Sequence, residues 1–230
     1  MKQEMIGDVP GNVLGMMADL LHKLQHGVIS PEELGRFLKK EYPFSLPRTT
    51  EELVTDQQNF YLLGFGREYD FSQVAIPKRR WGFDRLIIVP IDMTPQGVYD
   101  SNAEFECGKY TDNNLNDAVP TNERNPKNGT YAIWVRDVVE ADWKYANKSA
   151  QGIKTLGIRT ETLLERLIHG YQFFVETGQQ LDTQNSTLCA GSRNSSGDVP
   201  FVRFRNDKLS VLNIRSDFAD ISWRAREVVS

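Results

Sequence analysis

The sequence predicts an α+β protein in which a small N-terminal helical segment precedes one larger domain. Three observations support this prediction: apolar residues at helical spacing near the N-terminus, a long amphipathic helix near residue 170, and a β-hairpin pattern over residues 199–214. With 230 residues, 40% of them hydrophobic and 25% charged, the chain is large enough to bury a substantial core. We assign the helical segment to residues 1–42, a connecting region to 43–82 and the larger domain to 83–230.

Two short helices are predicted in the N-terminal segment. The first ends at Gly27, and its apolar residues recur at helical spacing: Leu14, Met17, Leu20, Leu21 and Leu24. The second has a capping signal, with Ser30 as N-cap and Glu33 three residues later, and it should end by Tyr42 because Pro43 follows. So small a pair cannot hide its apolar faces alone. We expect it to pack on the larger domain, on a second copy of the chain, or on a partner.

Residues 43–137 predict one short helix, two strands and a long loop. Thr50-Glu51-Glu52 opens a helix that runs through Phe60. The run F-D-R-L-I-I-V-P-I over 83–91 indicates a buried strand, and Y-A-I-W-V-R-D over 131–137 a second one. Residues 108–130 are rich in Asn, Asp, Gly and Pro, which predicts a long loop.

The strongest helix signal starts at Thr162, which forms a predicted capping box with Glu165. Gly178 fits the position just after the helix end, and we place His169 on the polar flank. The apolar stripe comprises Leu163, Leu164, Leu167, Ile168, Tyr171, Phe174 and Val175. Such a broad stripe needs a flat partner, so we expect the helix to pack on a sheet that contains the 131–137 strand.

The C-terminal hairpin has one face of unusual composition. Asn206-Asp207 is a turn signal between the runs 199–205 and 208–214. Alternation directs Val202 and Phe204 to one face, together with Leu209 and Val211. The opposite face gathers Phe201, Arg203, Arg205, Ser210, Leu212 and Ile214. This mixture of aromatic, guanidinium and aliphatic groups is typical of a contact surface for a partner, although an ordinary hairpin packed under a loop remains the alternative.

The sequence contains no motif that would support catalysis or cofactor binding. The three histidines are scattered, Gly191-Ser192 lacks a nucleophile-elbow frame, and neither dinucleotide- nor P-loop motifs occur. The run D-N-N-L-N-D over 112–117 lacks the glycine and glutamate of a calcium loop. We therefore expect no enzyme activity, no cofactor and no metal.

Charge and cysteine content point to a cytoplasmic protein without membrane association. The net charge of −4 argues against binding to a phosphate backbone, and no apolar run approaches a membrane span. The chain has no secretory signal pattern, so we expect a reducing compartment in which Cys107 and Cys189 are not bonded to each other.

Residues 191–230 resemble the variable region of retroelement-diversified proteins, which forms the C-terminal part of a C-type lectin-like domain. The resemblance covers the Gly191–Arg193 turn, both hairpin strands, the Ser216–Asp220 loop and the closing run Trp223–Val229. The S-P-E-E-L helix and the T-L-C-x-G-S-R run are also similar to those of a group of bacterial proteins. The paired cysteines and calcium triplets of animal lectins are missing, and the usual Gly-Phe-Arg appears as Trp223-Arg224-Ala225-Arg226.

The resemblance implies that residues 83–230 form a C-type lectin-like domain with a calcium-independent ligand-binding surface. It adds Asn194, Phe218, Asp220 and Ser222 to the six outward hairpin residues. Our prediction is a ligand-binding protein that displays a diversified surface for recognition of protein or other targets, with an unknown protein as the expected partner. Homo-oligomer formation through the N-terminal helices is one of the three packing alternatives given above. The alternative is a nucleic-acid-binding accessory protein of a mobile element that uses Arg79, Arg80, Arg203, Arg205, Arg224 and Arg226.

Overall fold

The computed structural model describes residues 11–39, 48–102 and 104–230. The chain divides into two compact units, Met1–Thr49 and Thr50–Ser230. Among the described residues, no helix has both the length and the apolar character needed to cross a membrane.

The smaller unit contains the two predicted helices, α1 (Gly11–Gln25) and α2 (Pro31–Leu38). The predicted capping box is confirmed, because the Ser30 side chain accepts from the Glu33 N–H and the Glu33 carboxylate accepts from the Ser30 N–H. Tyr42 and Pro43, where we expected the helix to end, lie outside the described residues. No residue of α2 is buried, and the large apolar side chains Leu14, Met17 and Leu21 of α1 are exposed.

The larger unit is an α+β assembly, which confirms the predicted class. Its helices are α3 (Thr50–Phe65), α4 (Pro95–Ser101), α5 (Leu115–Ala118), α6 (Ala150–Thr155) and α7 (Leu163–Thr177). Its strands are β1 (Arg85–Val89), β2 (Glu106–Lys109), β3 (Thr121–Asn122), β4 (Tyr131–Val135), β5 (Ser186–Leu188), β6 (Ser192–Arg193), β7 (Val199–Arg205), β8 (Lys208–Ile214) and β9 (Trp223–Arg224). The predicted loop over 108–130 therefore includes short ordered elements.

The strands form three sheets among the described residues. The largest has the order β2-β8-β7-β5-β9 and is mixed, since β2 pairs with β8 and β5 with β9 in parallel while the other pairs are antiparallel. The two buried strands predicted from sequence, β1 and β4, pair with each other in an antiparallel ladder, and β3 pairs with β6.

The larger unit begins well before the predicted boundary at residue 83. The region 43–82, expected to be a connection, supplies α3, whose Phe60 and Tyr61 belong to the main core. The Tyr61 hydroxyl donates to Ile88 O at 2.5 Å, and the Gln57 side chain bonds the backbone of the same strand. The boundary at 83 is therefore corrected to Thr50, because aromatic side chains of α3 cover the β1–β4 sheet.

Helix α7 is the centre of the core, and its predicted caps are confirmed. Thr162 and Glu165 form the reciprocal capping box, and Gly178 adopts the left-handed conformation with φ 70°. The helix contacts β1 of the β1–β4 sheet, as predicted, and also β7 of the large sheet. Our placement of His169 on a polar flank is wrong: the side chain is completely buried, because α7 contacts both sheets and retains no solvated side there.

Candidate recognition surface

The predicted hairpin is confirmed with its turn and register. Strands β7 and β8 pair from Val199 opposite Ile214 to Arg205 opposite Lys208. Asn206 and Asp207 both have positive φ values, 52° and 56°, as the tight turns favoured in hairpins require.

The inner face of the hairpin belongs to the core of the larger unit. Val202 and Val211 lie opposite each other and are completely buried. Leu209 is buried, and Phe204 packs partly buried against the same cluster. These are the four residues assigned to the inward face from the alternation, so this part of the prediction is confirmed.

On the outer face, the apolar half forms a second cluster. Phe201 lies opposite Leu212, and together with Leu188 of β5 and Ala150 of α6 it belongs to one buried cluster. The Phe201 ring also packs on Trp223, with ring centroids 5.5 Å apart. Phe201 is therefore only 6% exposed, which corrects our expectation of a solvent-reachable side chain. The physical reason is coverage by residues distant in sequence.

The other half of the outer face is polar. Arg203 lies opposite Ser210, and Arg205 opposite Lys208. Arg205 donates to Gln184 O at 2.9 Å, and Lys208 is paired with Glu106 on the neighbouring strand. Arg203 is partly exposed, but its buried Nε atom has no hydrogen-bond partner.

The four residues added by the resemblance have unequal environments. Phe218 is 50% exposed and packs on Trp223 at a centroid distance of 5.2 Å, which places it beside the outer face. Asn194 is buried, and its side-chain oxygen accepts from the N–H groups of Ser196 and Asp198, so it shapes a turn instead of facing solvent. Asp220 accepts hydrogen bonds from the N–H and hydroxyl of Ser222, and these bonds lower its pKa.

The structure thus assembles a continuous exposed set, with both partly and fully exposed side chains, on one side of the large sheet. We call this set the outer surface: Arg203, Arg205, Ser210, Leu212, Ile214 and Phe218. Phe201 lies on the same face but is buried, and Leu212 and Ile214 pack against its cluster. Asp220 and Ser222 are partly buried at its border, and Asn194 does not belong to it.

Below the large sheet, a buried ion cluster that sequence reasoning missed fixes the C-terminal run. The Asp182 carboxylate pairs with Arg166 of α7 at 2.7 Å and with Arg226 at 2.7 Å, and it accepts a bond from Thr187 of β5. Burial raises the pKa of Asp182, but the two guanidinium groups outweigh this effect and lower it overall. The signal available from sequence was a charged residue, Arg166, between the apolar residues of the α7 stripe.

A second buried pair joins Glu161 and His169. His169 Nδ1 lies 2.7 Å from Glu161 Oε1, and both side chains are inaccessible to solvent. Burial raises the pKa of Glu161 to about 8 and lowers that of His169 well below its ordinary value. At neutral pH both groups are therefore predominantly uncharged. Both side chains lie inside the larger unit, and Glu161 Oε2 and His169 Nε2 have no hydrogen-bond partner among the described residues.

Three of the six arginines that the alternative function would use to bind nucleic acid form ion pairs with carboxylates. Arg79 pairs with Asp84, and Arg80 pairs with Glu227. Arg226 is 2% exposed and bonds Asp182 and backbone carbonyls, so we remove it from the set that was expected to contact phosphates. This correction follows from the buried ion cluster, which the sequence alone did not reveal.

No metal centre is found among the described residues, since they contain no group of three or more His, Cys, Asp or Glu side chains placed to hold an ion. In the run over 112–117 that was compared with a calcium loop, Asn114 caps α5 by accepting from the Asn116 N–H.

Cys107 and Cys189 are both free thiols. A groove of about 770 Å³ lies elsewhere, between residues 75–78 and 128–132.

Comparison with known proteins identifies no relative: no protein family, curated protein or solved structure matches the chain. What the structure establishes is the α+β class with a mixed five-stranded sheet.

Proposed function

We propose that this chain is a non-catalytic ligand-binding protein that recognises a protein target through the outer surface. The observation that carries the proposal is the composition of that surface. Aliphatic side chains and a guanidinium without a partner among the described residues lie on one face of the large sheet, and the exposed Phe218 packs on Trp223 beside them. Aromatic and arginine side chains supply much of the binding energy in protein interfaces.

The architecture supports this role because it separates folding from recognition. Inward residues such as Val202 and Val211 hold the sheet to the core, whereas Arg203 and Leu212 contribute less to burial. The ladder hydrogen bonds between β7 and β8 are made by the backbone and do not depend on outward side-chain identity. Outer positions can therefore change at small cost in stability, generally within about 0.5 kcal/mol for surface sites.

A C-type lectin-like fold and diversification by a retroelement belong to the same proposal. Their support is the resemblance of residues 191–230 together with the tolerant outer surface. The coding DNA tests this part. A near-copy of the terminal segment beside a reverse transcriptase gene, differing only at adenines, would support it, whereas an isolated gene would contradict it.

Recognition is tested by selecting a random displayed peptide library on the wild-type protein. The double variant R203A/L212S removes two members of the outer surface, and L63S is the matched control because Leu63 is an exposed leucine on α3. We expect the selected peptides to bind the control as they bind the wild type, and not to bind the double variant. The melting temperature of the double variant should change little. Peptides that bind all three proteins equally, or a double variant that fails to fold, would refute the proposal.

We further propose that two copies of the chain associate through α1. Its exposed Leu14, Met17 and Leu21 form an apolar stripe, since they follow one another at spacings of three and four residues. Sedimentation of M17D/L21D should show a smaller species than the wild type. H22D, which places a single aspartate outside this stripe, should sediment like the wild type. A wild-type monomer at all concentrations would contradict self-association.

A further inference from the structure

We propose that Arg203 binds a carboxylate of the partner, so that the outer surface is specific for a protein segment presenting Asp or Glu beside an apolar side chain. This inference rests on the proposed function and names the chemistry of its target. It is carried by the state of the Arg203 guanidinium, by its neighbours across the sheet and by its position between apolar and polar side chains.

Arg203 differs from the other cations of its face in having no partner among the residues that the structure describes. Arg205 donates to Gln184 O, and Lys208 pairs with Glu106. The Arg203 Nε atom is buried without a hydrogen bond, and no carboxylate lies within ion-pair distance of its guanidinium. The terminal nitrogens of this partly exposed guanidinium form no hydrogen bond or ion pair with the described residues either, so they are the donors to which a ligand can supply acceptors.

The neighbours of Arg203 across the sheet have small side chains. Directly opposite on β8 stands Ser210, which has a short side chain. The next residue across the sheet is Gly108 on β2, and the stem of Lys208 lies over it: a Cβ added to Gly108 would come within 2.6 Å of Lys208 Cε. On this face of the sheet, Ser210 thus lies between Arg203 and the stem of Lys208.

The neighbours of Arg203 along the hairpin differ in polarity, which defines the rest of the target. Along β7 and β8, Leu212 lies on the same face on one side of Arg203, and the Arg205–Lys208 pair lies on the other. A carboxylate suits the guanidinium because two oxygens can accept parallel N–H bonds from its terminal nitrogens. An apolar neighbour of that carboxylate would then pack on Leu212. The geometry therefore favours an acidic and apolar pair of side chains over an acidic group alone.

The peptide selection described above tests this inference through further variants of the full chain. R203Q keeps a polar side chain but removes the charge, and R205Q is the matched control on the same strand. We expect selected peptides to be enriched in Asp or Glu, to bind R203Q about tenfold more weakly or worse, and to bind R205Q nearly as well as the wild type. Replacing the acidic residue of a selected peptide by its amide should cause the same loss.

A further variant, S210E, places a carboxylate of the chain itself opposite Arg203. It should block peptide binding while the protein keeps or raises its melting temperature. Peptides that require Leu212 but bind R203Q and S210E normally would overturn the carboxylate inference and leave the proposed function intact. Failure to select any peptide that depends on the outer surface would refute both.

Discussion

The buried ion cluster under the large sheet predicts a large loss of stability for the isosteric change Asp182→Asn. The two Asp182 oxygens satisfy Arg166 and Arg226, and Oδ1 also accepts the Ala141 N–H at 3.2 Å. An amide has one acceptor instead of two, and its NH2 group opposes the guanidinium groups. Glu161, a buried carboxyl group that interacts with the same two arginines, is predominantly neutral at pH 7 in the folded protein because burial raises its pKa to about 8.

The magnitude follows from the burial of all three side chains, which are 0–3% exposed. Removing one partner of a buried ion pair leaves an uncompensated buried charge and costs about 3–5 kcal/mol. In a domain of this size 1 kcal/mol corresponds to about 2–4 °C in melting temperature, so the expected decrease is about 6–20 °C. Because Arg226 is held through Asp182, the C-terminal run should lose its order together with the core.

Chemical denaturation followed by near-ultraviolet circular dichroism measures this loss. The matched control is Asp217→Asn, since Asp217 forms an exposed pair with Arg215 whose side chains are 61% and 75% accessible. Exposed pairs contribute at most about 1 kcal/mol, so the control should unfold nearly like the wild type. If Asp182→Asn were no less stable than Asp217→Asn, the assignment of the cluster as the anchor of the C-terminal run would be refuted.

Three further predictions concern the core and the thiols. Val202→Asp should unfold the larger unit, as judged by circular dichroism, because it places an unpaired charge at a completely buried site; a folded variant would contradict the assigned inward face. Because the pKa of Glu161 is raised to about 8 in the folded state, the folded protein keeps a proton that the unfolded chain has already lost. The free energy of unfolding should therefore fall by up to about 1.4 kcal/mol per pH unit as the pH rises from about 6.5 to about 8. Below about 6.5 the lowered pKa of His169 acts in the opposite direction, and E161Q should remove the decline above that pH in denaturation curves. Thiol titration of unfolded, unreduced protein should detect both cysteines, and in the native protein Cys107 should react before the buried Cys189; detection of neither would show a disulfide.

Local sequence signals predicted those parts of the fold that depend on residues close together in the chain. The capping boxes at Ser30 and Thr162, the left-handed Gly178 and the Asn206-Asp207 turn are all confirmed. Each of these signals acts over a few residues, through a hydrogen bond to a neighbouring N–H or through a permitted φ value. The same locality explains why the inward face of the hairpin was predictable from alternation alone.

The burial of individual side chains, both near the outer surface and in α7, depends on contacts between residues that are distant in the sequence. Phe201 is buried because α6 and Trp223 cover it, and His169 is buried because α7 contacts two sheets. Alternation could identify the face of each side chain, but it contains no information on what lies against that face.

By itself the sequence determined the α+β class, the hairpin with its turn, the capped ends of α2 and α7, and the set of side chains that share the outer face of β7 and β8. Only the tertiary structure decided that α3 belongs to the core, that Arg226 is paired with Asp182, and that Arg203 has no partner among the described residues. The physical reason is that backbone conformation responds to neighbours in the chain, whereas burial and charge pairing depend on residues that folding brings together from far apart, such as Asp182 and Arg226.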